Sequence, residues 1–178
     1  MAQRAQLFIL LSGAGLGLMG LQAAEITQSA SETLSITLSS AAKVSVPATV
    51  TLSSSGTFQN FTGSELVNFK ARTTSSGSAT VTVKGSSEFS PVTGPAIANG
   101  DLTYTCGSAT LGTACSGTQT ASTASSTSVV SVGASKCVGT GCAATSPATI
   151  TLSFTLTNSP AFKTGSYSAQ LLYTCSAI

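Results

Sequence analysis

The sequence predicts an all-β, antiparallel fold of the sandwich or barrel type, and three observations carry that expectation. First, the last thirty or so residues hold two long alternating runs. In residues 148–157, Ile150, Leu152, Phe154 and Leu156 alternate with Thr149, Thr151, Ser153 and Thr155; in residues 166–175, Tyr167, Ala169, Leu171, Tyr173 and Cys175 take every second place. A period of two sends one set of side chains to a dry face and the other to water. Second, further short runs recur with turn formers between them, a rhythm of packed sheets rather than of βαβ units. Third, the chain is rich in Thr, Val and Ser, and the branched Cβ of Thr and Val fits a pleated surface. The length of 178 residues suits one domain.

Taken in order, residues 1–24 read as a cleaved signal peptide. Arg4 supplies the positive start, Leu7 to Leu11 open an apolar core that runs on to Leu21, and Ala23 and Ala24 offer a small-residue cleavage site. No Cys follows for a lipoprotein anchor, and no second apolar stretch long enough to span a bilayer appears. Residues 25–42 form an N-terminal arm in which Leu34, Ile36 and Leu38 alternate with Ser35 and Thr37. This run reads as a first strand of its own domain, or as a free arm that completes a neighbouring subunit's sheet.

Residues 43–178 are the expected β-sandwich domain. Val44, Val46, Val50 and Leu52 mark a strand over 43–52, and Pro47 inside it demands an edge position or a break, because proline cannot donate to a ladder. Phe58 and Phe61 are expected core anchors. Val67, Phe69 and Ala71 share one face of a strand over 66–72, and after a Thr/Ser/Gly turn Ala79, Val81 and Val83 alternate back, which predicts a hairpin. The two C-terminal runs predict another, joined through the turn formers of 158–165. Asn99-Gly100 is a turn dipeptide ahead of Leu102, Tyr104 and Cys106. Residues 106–147 look like a long connection, stapled by disulfides, with one short strand at Val129, Val130 and Val132.

Five cysteines are present, Cys106, Cys115, Cys137, Cys142 and Cys175, and an exported chain oxidises them. The expected bridges are Cys106–Cys115 and Cys137–Cys142, which leave Cys175 as a free or intermolecular thiol. The chief alternative joins Cys106 to Cys175, because Thr103-Tyr104-Thr105-Cys106 and Leu172-Tyr173-Thr174-Cys175 are near copies.

Missing residue types narrow the function. The chain has no His, which removes Ser–His and Cys–His nucleophiles and His-ligated metals. There is no Cys-x-x-Cys, so no metal or other cofactor is expected. The mature acids are Glu25, Glu32, Glu65, Glu88 and Asp101; Glu65 and Glu88 read as solvated charges flanking strands rather than as a glycosidase pair. Asn99 and Asp101 offer too few oxygens for calcium and read as a turn. Without Trp, and with Tyr104, Tyr167 and Tyr173 at core-facing positions with wet hydroxyls, no aromatic platform for sugars is expected. No small-molecule ligand is expected either. Only 7% of residues are charged, and the net charge of +2 falls to +1 once Arg4 leaves with the leader, too little to hold nucleic acid.

The segment from Phe162 to Tyr173, in which Gly165-Ser166-Tyr167 opens a final alternating strand, resembles the end of bacterial secreted sandwich subunits of the spore-coat-U-like and fimbrial (pilin-like) kinds. That resemblance implies an immunoglobulin-like β-sandwich of about 7–9 strands that polymerises by strand donation. The expected protein is therefore not an enzyme. It is a structural or adhesive surface subunit, secreted, periplasmic or on the cell surface, whose partner is another copy of itself. The alternative is a monomeric binding module that recognises a surface glycan or protein through residues 106–142.

Overall fold

The computed structural model describes residues 33–74, 76–134 and 147–178. The expected signal peptide and the Cys137–Cys142 bridge lie outside the described residues. The chain divides into two units, Met1–Ile36 and Thr37–Ile178. The described part of the first carries no regular element.

The second unit is an antiparallel β-sandwich. Its strands are β1 (Ala41–Ser45), β2 (Phe61–Arg72), β3 (Ala79–Gly85), β4 (Leu102–Cys106), β5 (Thr113–Ala114), β6 (Thr118–Thr120), β7 (Thr127–Val132), β8 (Ala148–Leu156) and β9 (Leu171–Ala177). One sheet has the order β1-β2-β8-β4-β6 and the other β5-β7-β3-β9. Among the described residues the strands number nine, and the helical content is one 3₁₀ turn, Ile97–Asn99.

Alternation places the core. Val67, Phe69 and Ala71 of β2 and Ala148, Ile150, Leu152, Phe154 and Leu156 of β8 face Ala79, Val81 and Val83 of β3 across the interface. On β7 the period slips. The register shifts between Val81 and Thr82, so Val81 pairs Val130 and Thr82 pairs Ser128, and Val129 and Val130 are both buried. A bulge of this kind inserts one residue and re-aims the strand.

Both expected hairpins are absent. β8 lies between β2 and β4 in the first sheet, whereas β9 pairs β3 at the edge of the second. β2 and β3 likewise sit in opposite sheets. Each loop crosses the sandwich instead of doubling back. Alternation fixes which side of a strand is dry, and two strands facing one core from opposite sheets show the same alternation as a hairpin pair. The last strand is also shorter than its run, since Tyr167 and Ala169 precede it and Ser168 makes only an isolated bridge to Ser90.

Other expectations are corrected. Residues 33–40 form no strand, and Leu34, Ile36 and Leu38 are 93%, 80% and 66% exposed. β1 stops at Ser45, ahead of Pro47, at the sheet edge that the proline demanded. Phe58 is 66% exposed and sits at a positive φ of 58°, so it is no core anchor; Phe61 is half-buried and opens β2. The 106–147 region is not one long connection, for β5, β6 and β7 lie within it.

The Cys106–Cys115 bridge is formed, with Cα atoms 5.5 Å apart and a sequence separation of 9. Cys106 ends β4 in the first sheet, and the Cys115 N–H donates to Val129 O on β7, so the bridge ties the two sheets together. Cys175 is a free, half-buried thiol 3.9 Å from Lys70 O, and the Cys106–Cys175 alternative is not realised. By the chain-entropy argument a loop of this size stabilises by about 2–3 kcal/mol. A Cys106→Ser/Cys115→Ser variant is expected to lose that much in urea titration.

Candidate binding cleft

Pro47 opens the cleft. β1 pairs β2 only from Ala41–Arg72 to Ser45–Asn68, and the chain returns to β2 at the Ser53–Thr62 bridge. Between these points residues 46–52 bow away from β2. Opposite them, residues 157–170 carry the chain from β8 to β9 and form a second wall. The space enclosed is about 1040 Å³. Its apolar lining includes Leu52, Phe61, Phe89, Phe154, Phe162 and Leu171, and Glu65 and Tyr173 line it from β2 and β9.

The second wall is held by backbone contacts. The Tyr167 hydroxyl donates to Lys163 O at 2.6 Å, closing the turn, and Ser90 and Ser168 exchange backbone hydrogen bonds of 2.9 and 3.1 Å. Gly94 lets Tyr167 lie where it does, because a Cβ there would stand 2.2 Å from the ring.

Glu65 departs most from the sequence reading. It is not a solvated strand-end charge but an interior position of β2, 8% exposed, on the same face as Val67, Phe69 and Ala71. β2 begins at Phe61, well before the expected start, and so carries the acid into the sandwich. The Tyr173 hydroxyl, reaching across from the other sheet, donates to Glu65 Oε1. The parity of 65 with 67, 69 and 71 was the available signal. It was overridden by the rule that carboxylates stay wet.

Burial pushes the Glu65 carboxyl above its ordinary value of 4.5, and the Tyr173 hydrogen bond offsets this only in part. Tyr173 is itself pushed well up, first by burial, then by its bond to Glu65 and the nearby carboxylate and Tyr104. It therefore stays protonated and acts as the donor. A group whose folded pKa is raised stabilises the fold most below its unfolded value, and that contribution is lost as pH rises through the folded value. Glu65→Gln, which keeps an acceptor for Tyr173, is expected to match the parent in Tm at pH 3.5. It is expected to exceed the parent increasingly towards pH 7.5 in a thermal melt series.

The other acids among the described residues, Glu88 and Asp101, are structural. Glu88 Oε2 accepts from Ile97 N–H at 2.6 Å, and its Oε1 accepts from Ala98 N–H at 2.9 Å and Thr123 Oγ1 at 3.2 Å. Asp101 Oδ2 accepts from Ala96 N–H at 2.8 Å, and Gly100 closes the turn at φ 80°. Glu65 and Glu88 thus serve separate partners rather than one reaction centre. Each tyrosine hydroxyl has a protein acceptor: Tyr104 donates to Ser128 O at 2.7 Å, Tyr167 to Lys163 O and Tyr173 to Glu65. Among the described residues no group of three or more His, Cys, Asp and Glu is placed to hold a metal ion, and no helix is long and apolar enough to cross a membrane.

Compared with protein-family models, curated proteins and solved structures, the chain matches none of them.

Proposed function

We propose that this chain is an exported, non-catalytic structural subunit of a surface assembly, in which the arm around residues 34–38 of one copy adds to the open edge of β9 in the next. The observation that carries the reading is the arm itself. Leu34, Ile36 and Leu38 alternate as a strand should, yet among the described residues they pair with no strand and stand in solvent. An apolar period-two segment is a poor solvent-exposed coil and a good edge partner.

β9 supplies the complementary edge. It is seven residues long, has β3 as its one ladder partner among the described residues, and reads Leu171-Leu172-Tyr173-Thr174-Cys175-Ser176-Ala177, without charge or proline. Folded proteins ordinarily blunt such an edge with Lys, Pro or extreme shortness. β5 and β6, of two and three residues, are blunted by length. β1 packs beside β9, and the inward residues of β9 there are only half-buried against the core. The Cys106–Cys115 bridge fits an oxidising compartment, and low charge keeps copies from repelling one another. The likeness of the closing strand to spore-coat-U-like and fimbrial subunits accords with this use.

The test compares the oxidised mature chain with one that begins at Ser39. The mature chain is expected to form concentration-dependent oligomers or fibres by light scattering and negative-stain microscopy, and the shortened chain to remain monomeric with the same far-ultraviolet spectrum. A mature chain that is strictly monomeric at high concentration overturns the proposal.

A further inference from the structure

We propose that the cleft between residues 46–52 and 157–170 binds a small organic amine, with its ammonium on Glu65 and its apolar body against the aromatic wall. The site shares Leu171, Leu172 and Tyr173 with β9, but the argument for it does not rest on assembly.

Charge complementarity carries the choice of occupant. Glu65 and Lys163 are the charged residues among those that line the cleft, and they stand apart in kind: Glu65 is buried on the β2 floor, whereas Lys163 is exposed at the rim. Removing a carboxylate from water is costly unless a charge or donors compensate. Tyr173 supplies one donor, to Oε1. An ammonium brought in by a ligand would supply the opposite charge and further donors, and hydrogen bonds between ionised partners are roughly twice as strong as neutral ones. A carboxylate ligand would meet Glu65 with like charge.

The walls choose the rest of the molecule. Phe61, Phe89, Phe154, Phe162 and Tyr167 line the space, so a flat ring gains apolar burial and edge or face contact. An ammonium near ring faces gains cation–π attraction as well. The volume of about 1040 Å³ lies just above the usual span of small-ligand pockets, about 300–1,000 Å³. Lys163 at the rim repels a second cation, which favours a monoamine over a diamine.

Calorimetric titration of the full mature chain tests this with three probes of one shape: phenethylamine, phenethyl alcohol and 3-phenylpropanoate. The amine is expected to bind at least tenfold more tightly than the alcohol, and the carboxylate not to bind. Glu65→Gln is expected to weaken the amine at least tenfold and leave the alcohol unchanged, a contrast that a general loosening of the cleft would not produce. The same ranking is expected in a Leu34→Ser/Ile36→Ser/Leu38→Ser chain, so failed assembly and failed ligand binding are read independently. Equal affinity for amine and alcohol, an amine affinity indifferent to Glu65→Gln, or no binding of any probe overturns the proposal. Loss of amine binding only when copies assemble would mean that a neighbouring chain fills the cleft, and would overturn it too.

Discussion

Tyr104→Ala is expected to lower stability by about 3–5 kcal/mol. Tyr104 is 1% exposed and its ring lies 6.1 Å from that of Phe154 at an interplanar angle of 53°. Its place on β4 belongs to the first sheet, but its hydroxyl reaches the second, 2.7 Å from Ser128 O and 2.9 Å from Thr127 Oγ1. Thr127 in turn donates to Val83 O at 3.2 Å, extending the connection to β3. Alanine removes the ring, opens a cavity and leaves the Ser128 carbonyl without this donor. Tyr104→Phe separates the contributions, since it keeps the packing and loses the hydroxyl, for about 1–3 kcal/mol. Urea titration followed by circular dichroism measures both. An alanine variant within about 1 kcal/mol of the parent would show that the two sheets are not held together at this point.

Substituting the arm's apolar residues is expected to abolish assembly and spare the fold. Leu34→Ser/Ile36→Ser/Leu38→Ser keeps every backbone group that could pair with an edge and removes only the side chains. If the arm docks by side chains as well as by ladder hydrogen bonds, burying each contributes at least about 1.5 kcal/mol. Losing all three therefore weakens association about a thousandfold or more. Since these side chains stand in solvent in the isolated chain, its denaturation midpoint should not move. Light scattering over a concentration series reads the first effect and urea titration the second. Assembly that survives the triple substitution but not removal of the arm would assign the contact to backbone pairing alone.

The sequence carried the fold class because each strand advertises its own dry face. Val67, Phe69 and Ala71, or Ile150, Leu152 and Phe154, need no knowledge of a partner to be assigned inward. Partners are a different matter. Whether residues 157–170 return β9 to β8 or carry it over to β3 depends on the whole packed sandwich, and the local pattern is the same either way. Val129 and Val130 show the other limit, since a bulge buries neighbours that strict alternation would separate. The cleft was legible in halves. Pro47 announced the break in β1 that opens it, but Glu65 was assigned by residue type when its parity placed it inside. The arm was legible as a strand-former, and what the sequence left open was whether it pairs within its own domain; among the described residues it does not.

Hydrogen exchange of the mature chain, compared between monomer and assembled material, tests strand addition most directly. The amides of residues 34–38 and of β9 are expected to exchange freely in the monomer on the side facing away from β3, and to become protected together when copies assemble. Assembled material in which residues 34–38 still exchange as fast as in the monomer would contradict the account.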